Sequence, residues 1–279
     1  MKKSETIDAG AWAKKFDAEL NTDVCDRLNN AEITVIAKVF LIQGDPAGGA
    51  KKGTANDADT NSQNIIKWDT GSWNIWKQKF ASSAMTFHGK FWLVNNHKWN
   101  EYEDRTVKYF PNIWCGLKIE FAASAATAHH SITVYRVPRS GRGFRSNFSL
   151  MDSYDVELQK KGSDSAGKVL RQKPAVHELF HTLGVRHIDH GEATCPIGDS
   201  GNANPCYGDT DDDRHTLMGS AMNVHEKFAD PWRRAAVKLT GKGAVGTATD
   251  WQAKLKRHYP RTQEEVDRDA QITHPPIRK

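Results

Sequence analysis

AVHELFHTLGVRHIDHG, residues 175–191, places four histidines within fourteen positions, with Glu178 beside the first and Gly184 between the second and third. On a helix, His177 and His181 lie one turn apart on one face. Val176, Phe180 and Leu183 form an apolar stripe beside them. Such a helix can bury one side and present two imidazoles on the other, each able to reach one ion at about 2.0–2.1 Å. Gly184 suits a helix end that needs positive φ. The chain can then double back and bring in His187 as a third nitrogen. Three protein ligands leave a fourth position open, which marks a catalytic rather than a structural zinc site. Glu178 points beside the ligand pair, where a general base would stand. His190 is the alternative third ligand at a less favourable spacing, and Asp189 is placed to orient a ligand imidazole.

Outward from this helix the chain reads as alternating elements. EITVIAKVFLIQG (32–44) is β-branched and apolar, a strand. The Gly- and Asn-rich residues 45–64 read as a long exposed loop. Trp73, Trp76 and Phe80 fall on one face of a helix over 71–84, with Ser72 placed to cap it. Strands are expected at 90–96, 114–124 and 130–137, with another within 147–158. The helix bearing His177 is expected to span 165–184, with Pro174 starting or kinking it. DPWRRAAVKLTG (230–241) has Asp230 as N-cap and Gly241 as its stop. Residues 1–30 read as helical or loosely packed. The tail from about 252 is charged and peripheral. The expected fold is therefore mixed α/β (α+β), a twisted mixed sheet packed on an active-site helix. The division is an N-terminal extension (1–30), a catalytic domain (31–250) and a charged C-terminal tail (251–279).

A formal charge of +5 in 279 residues is mild and does not by itself indicate nucleic-acid binding. No apolar run is long enough for a membrane-spanning helix. The N-terminus has two lysines but no apolar segment after them, so it does not read as a Sec signal peptide. Of four cysteines, Cys195 and Cys206 flank a Gly/Asn/Pro-rich loop and are candidates for a loop-closing disulfide. Cys25 and Cys115 cannot be paired from the sequence. Asp209, Asp211, Asp212 and Asp213 could bind calcium through oxygen, though without EF-hand spacing. Arg139, Arg142 and Arg145 could bind acidic groups, or simply be a solvated turn. His215 has no motif around it.

His177, Glu178, His181, Gly184 and His187 spell H-E-x-x-H-x-x-G-x-x-H, and the stretch resembles the signature of the metzincin zinc metallopeptidases. The resemblance implies a tight turn carrying a methionine beneath the metal. Met218 in HTLMGSAMN is the choice and Met222 the fallback, with a C-terminal helical subdomain following. It implies one catalytic zinc on His177, His181 and His187, Glu178 as catalytic base, and a protein or peptide substrate lying along an edge strand, for which HSITVYRV (130–137) is the candidate. Other divalent ions also accept three imidazoles. Ser220 stands where many members carry a tyrosine, so a phenolic stabiliser must come from elsewhere, with Tyr207 the candidate.

A metallopeptidase without a signal peptide or propeptide reads as a toxin or effector domain, made in the cytoplasm and delivered by a specialised machine such as type VI secretion, with a cognate immunity protein as partner. Three rivals accompany this reading: a zinc amidase or endopeptidase on cell-wall peptides, an intracellular protease, and a binding module that zinc merely holds together.

Overall fold

The computed structural model describes residues 1–10, 15–26, 28–94, 99–109, 112–138, 143–196, 204–243, 251–255 and 264. Among the described residues, fourteen strands and four α-helices follow one another along the chain. The N-terminal half holds β1 (Lys2–Asp8), β2 (Lys15–Asn21), β3 (Ala31–Gly44), β4 (Lys52–Asn56), β5 (Ser62–Ile66), α1 (Thr70–Ala84), β6 (Phe91–Val94), β7 (Tyr102–Asp104), β8 (Val107–Tyr109) and β9 (Asn112–Phe121). Then come β10 (His130–Tyr135), β11 (Leu150–Asp152), β12 (Gln159–Ser163), β13 (Val169–Gln172), α2 (Pro174–Thr182), α3 (Asp211–Arg214), α4 (Asp230–Thr240) and β14 (Gln252–Lys254). The chain is a mixed α+β protein built on one eight-stranded sheet.

β3 is the spine of that sheet. It runs parallel to β9 on one side. On the other it pairs with β2 through its first half and with β10 through its second. Its sequence alternates, and Ile33, Val35, Ala37 and Val39 are all fully buried on one face. Glu32, Thr34 and Lys38 occupy the opposite, more polar face. The helices cover the apolar face alone. Trp73, Trp76 and Phe80 of α1 face inward, as the spacing predicts. The cap of α1 is Asp69, not Ser72, whose backbone N–H donates to the Asp69 carboxylate at 2.8 Å. From α2, Phe180 stacks on Phe87 at 4.7 Å between ring centres. Helix α4 packs on the β1–β3 side and sends Trp232 across to donate to the Gly116 carbonyl at 2.6 Å. It shares the main core rather than forming a separate helical subdomain. Gly241 ends it with φ +67°, as read, but Asp230 is its first residue and not its N-cap.

Several sequence expectations are overturned. Residues 1–30 are neither helical nor loose: β1 and β2 pair antiparallel and extend the sheet. Phe16, Ala18 and Leu20 alternate inward and are buried, a period of two diluted by the charged residues between them. The expected loop over 45–64 contains the β4–β5 hairpin. Residues 159–172 form the β12–β13 hairpin, so the His177 helix begins only at Pro174. The described start of the tail enters the sheet, because Trp251 is fully buried and β14 pairs with β6, whereas residues 256–263 and 265–279 lie outside the described residues. The strand expected within 147–158 shortens to β11. β10 lies between β3 and β11 and is not a free edge, which removes it as a docking edge for substrate.

Candidate metal centre

Helix α2 is anchored by Ala175, Val176, Leu179 and Phe180, all fully buried. With that face fixed, His177 and His181 emerge together on the other side. The helix stops in a Schellman turn: the Val185 N–H reaches the Phe180 carbonyl and the Gly184 N–H the His181 carbonyl, at 3.1 and 3.0 Å. Gly184 takes φ +87°, and a Cβ there would strike the Ala9 carbonyl oxygen at the end of β1. Only glycine fits this corner, and the corner returns His187 to the helix face.

The three Nε2 atoms converge. His177 to His181, His181 to His187 and His177 to His187 measure 3.1, 3.1 and 3.2 Å. All three rings are buried, and among the described residues this is the one such group able to hold a metal ion. Nitrogens each about 2.0–2.1 Å from a shared tetrahedral cation would lie roughly 3.3–3.4 Å apart, close to the observed triangle.

The protons decide what the triangle can be. His177 Nδ1 lies 2.8 Å from the Leu217 carbonyl, and His181 Nδ1 lies 2.8 Å from the Val185 carbonyl. A carbonyl only accepts, so both Nδ1 atoms carry hydrogen and both neutral rings present bare Nε2 lone pairs. Burial pushes His177 well below the ordinary histidine range, helped by the other two imidazoles, and lowers His181 to about 4. Two bare lone pairs 3.1 Å apart repel. A cation between them turns that repulsion into ligation, so the donor set fits a divalent metal.

The segment 216–219 locks this arrangement. It is a tight turn in which the Gly219 N–H reaches the Thr216 carbonyl at 3.2 Å. Its Leu217 carbonyl orients His177, and its Met218 carbonyl accepts the Ile188 N–H at 3.2 Å. Gln172, buried at the end of β13, donates to the carbonyls of Leu217 and Gly219 at 2.6 and 3.1 Å. Met218 is fully buried in the core. Met222, the fallback, instead lies with its sulfur 3.3 Å from the Lys173 N–H at the head of α2.

His177 and Glu178 open onto a cleft of about 580 Å³. Burial, then the neighbouring Asp155 carboxylate, push Glu178 up to about 8, while Lys161 and Arg145 pull it down. A bound dication would add to the downward pull. Tyr207 packs against His187 with ring centres 3.9 Å apart and planes tilted by 37°. Burial raises its phenol, which keeps it a neutral donor at physiological pH. Tyr207 follows Cys206, which is joined to Cys195 in the disulfide that the loop suggested. Cys25 and Cys115 are free thiols.

Other candidates sit elsewhere. His190 contacts the Arg186 guanidinium at 3.2 Å and is not in the triangle. Asp189 orients no imidazole; its carboxylate accepts the Asp209 N–H at 2.6 Å. Asp211 is bound by Ser165, Asp213 by Thr210, and His215 pairs with Asp164 at 3.0 Å. Of the three arginines, Arg145 lines the cleft, and Arg139 and Arg142 lie outside the described residues. Reading the sequence missed Asp155, Lys161 and Gln172, which also line the cleft. Asp155 is buried and accepts from Ser146 Oγ, the Asp152 N–H and Gln159. No helix among the described residues is long and apolar enough to cross a membrane. Comparison with family models, curated proteins and solved structures gives no match.

Gly184→Ala should weaken the site through its backbone, costing about 1–3 kcal/mol from strain alone. Elemental analysis after dialysis should then show substoichiometric zinc, with a lowered melting temperature. The depressed imidazoles also set a pH dependence. With His181 near 4 when folded and near 6.5 when unfolded, the unfolded chain binds more protons between those values. Stability of the metal-free chain should therefore fall as pH drops from about 6.5 towards about 4. Melting curves across that range should show the loss, and zinc should leave over the same interval.

Proposed function

We propose that the chain is a zinc metallopeptidase of metzincin-like design, acting outside a reducing cytoplasm as a delivered toxin or effector domain. The observation that carries the chemistry is the three-nitrogen triangle, one of whose rings, His177, lines an open cleft beside Glu178. A cation that only held a binding module together would need no cleft beside it, and no carboxylate facing that cleft.

His177, His181 and His187 would hold the ion, and zinc so bound lowers the pKa of water towards 7 and polarises a scissile carbonyl. Glu178 takes the proton of the attacking water and returns it to the leaving amine. Its low solvation suits it to both halves of that transfer, since a carboxyl pushed upward is a stronger base. Tyr207, neutral and packed against His187, is the donor best placed to steady the developing oxyanion. Ser220, at the place where many metzincins carry tyrosine, also lines the cleft. The edge available to an extended substrate is that of the β12–β13 hairpin, whose residues 161–163 line the cleft.

The Cys195–Cys206 disulfide supports the placement outside a reducing compartment, where such bonds persist. It ties the loop carrying Tyr207 back to the stretch after His187.

Glu178→Gln should retain one zinc per chain and lower peptide hydrolysis by about 10²–10⁴-fold. Elemental analysis beside a fluorogenic peptidase assay tests both halves, and wild-type turnover in the substitution would remove Glu178 from the chemistry. For the biological role, expression directed to a bacterial periplasm should arrest growth while cytoplasmic expression should not. The Glu178→Gln chain should be harmless in both.

A further inference from the structure

The cleft is lined by three acids, Asp155, Glu178 and Asp209, and three cations, Arg145, Lys161 and Arg214, which are unequally committed. Asp209, exposed, follows Gly208, whose carbonyl holds Arg214. Among the acids, Asp155 is consumed by its own hydrogen bonds and only 1% exposed. Glu178 is the proposed base. Among the cations, Arg214 is committed to the Gly208 carbonyl at 2.9 Å and lies 3.8 Å from Asp211. Arg145 and Lys161 remain. The nearest carboxylate to the Arg145 guanidinium is Asp59 at 4.0 Å, with both side chains more than half exposed. Among the described residues Lys161 makes no ion pair, and it is exposed.

Both are held at the cleft by backbone rather than by chance. In the β12–β13 hairpin Lys160 faces Arg171 and Gly162 faces Leu170, so Lys161 is the extra residue of a β-bulge. A bulge breaks the alternation of the strand and re-aims the side chain at that position. Here Lys161, Gly162 and Ser163 all line the cleft. Arg145 is clamped on both sides of its peptide: its N–H reaches the Asp57 carboxylate at 3.4 Å, and its carbonyl accepts the Ala58 N–H at 2.9 Å. Asp57 is itself fixed by Asp59, Asn61 and Gln63 at the β4–β5 turn. Both cations line the same cleft as Glu178. Between them Phe144, Leu170 and Tyr207 supply apolar wall.

We propose that the cleft selects peptides carrying a carboxylate beside the bond to be cut, with Arg145 and Lys161 as the side chains that read it. The cutting rests on the peptidase reading above; the charge selection does not. Two cations beside an apolar wall suit an acidic side chain on a peptide, and are too few to track a phosphate backbone.

Three matched fluorogenic peptides, differing only in Asp, Asn or Lys beside the scissile bond, test this on the zinc-loaded full chain. The order of kcat/KM should be Asp above Asn above Lys, with about tenfold between the extremes. Arg145→Ala and Lys161→Ala should each erode the preference by about threefold and together abolish it. It should also shrink between about 0.05 and 0.5 M salt. Equal rates for the three peptides, or a preference untouched in the double substitution, overturn the proposal. Fluorescence anisotropy of the labelled Asp and Lys peptides on the Glu178→Gln chain gives a readout without turnover. The Asp peptide should bind more tightly, and the double substitution should erase the difference; indistinguishable binding overturns the proposal. If no peptide is cut by the wild-type chain yet this difference in binding holds, the charge selection stands and the peptidase reading falls.

Discussion

Two neutral imidazoles, each with its Nδ1 hydrogen spent on a backbone carbonyl, face one another across 3.1 Å with nothing but lone pairs between them. In water such rings would turn away or take up a proton. Here burial disfavours the proton, and the surrounding backbone prevents the turn. The third ring closes the triangle at the same separations. A buried cluster of like dipoles is an unfavourable arrangement unless a cation completes it, so the fold and the ion are thermodynamically linked.

The rest of the structure supplies the constraint that makes this possible. Four fully buried residues fix the rotation of α2 about its axis. A single turn at Gly184 then does two jobs: Val185 caps the helix with its N–H and orients His181 with its carbonyl. The 216–219 turn does the same from the opposite side, holding His177 through Leu217 and the His187 return through Met218. Gln172 ties that turn to the end of β13. The geometry of the three rings therefore depends on two chain segments about thirty residues apart, 172–187 and 216–219. The close fit of Gly184 against Ala9 extends the dependence to the N-terminal hairpin.

This division explains what the sequence could and could not reveal. The three-histidine group lies within eleven residues, and helical spacing plus one glycine are local properties, so the convergence of His177, His181 and His187 was legible directly. The tryptophan stripe of α1 and the alternation of β3 were legible for the same reason. The β1–β2 pair was not, because its inward residues Phe16, Ala18 and Leu20 are separated by charges that make seven-residue strands look like polar extension. The hairpin at 159–172 is mostly polar, since residues 161–163 wall a cleft, and the one at 52–66 is mostly polar too, burying Ile65 in a small cluster with Val137 and Phe144. Their strand character comes from pairing alone, which no hydrophobic period announces. Asp155 and Lys161 were invisible for a related reason. Their proximity to Glu178 is set by a buried turn and by a bulge, and neither leaves a spacing to read.

Those unannounced residues also govern how strong a base the site can hold. Desolvation and Asp155 raise Glu178, whereas Lys161 and Arg145 lower it, and a divalent ion would lower it further. A carboxyl left to burial alone would keep its proton at neutral pH and could not accept another. One surrounded only by cations would be too weak a base to draw a proton from water. With all of these acting Glu178 still stands at about 8, so in the metal-free chain it keeps its proton at neutral pH, and the further pull of a bound dication would be what frees it as a base. The influences arrive from different walls of the cleft: Asp155 from the segment before β12, Lys161 from the bulge, Arg145 from the strand-side loop clamped to β4–β5. An acidic group entering beside Arg145 and Lys161 would neutralise part of their pull and shift that balance upward. On the proposed reading, substrate charge and base strength would be coupled in this cleft by the same two side chains.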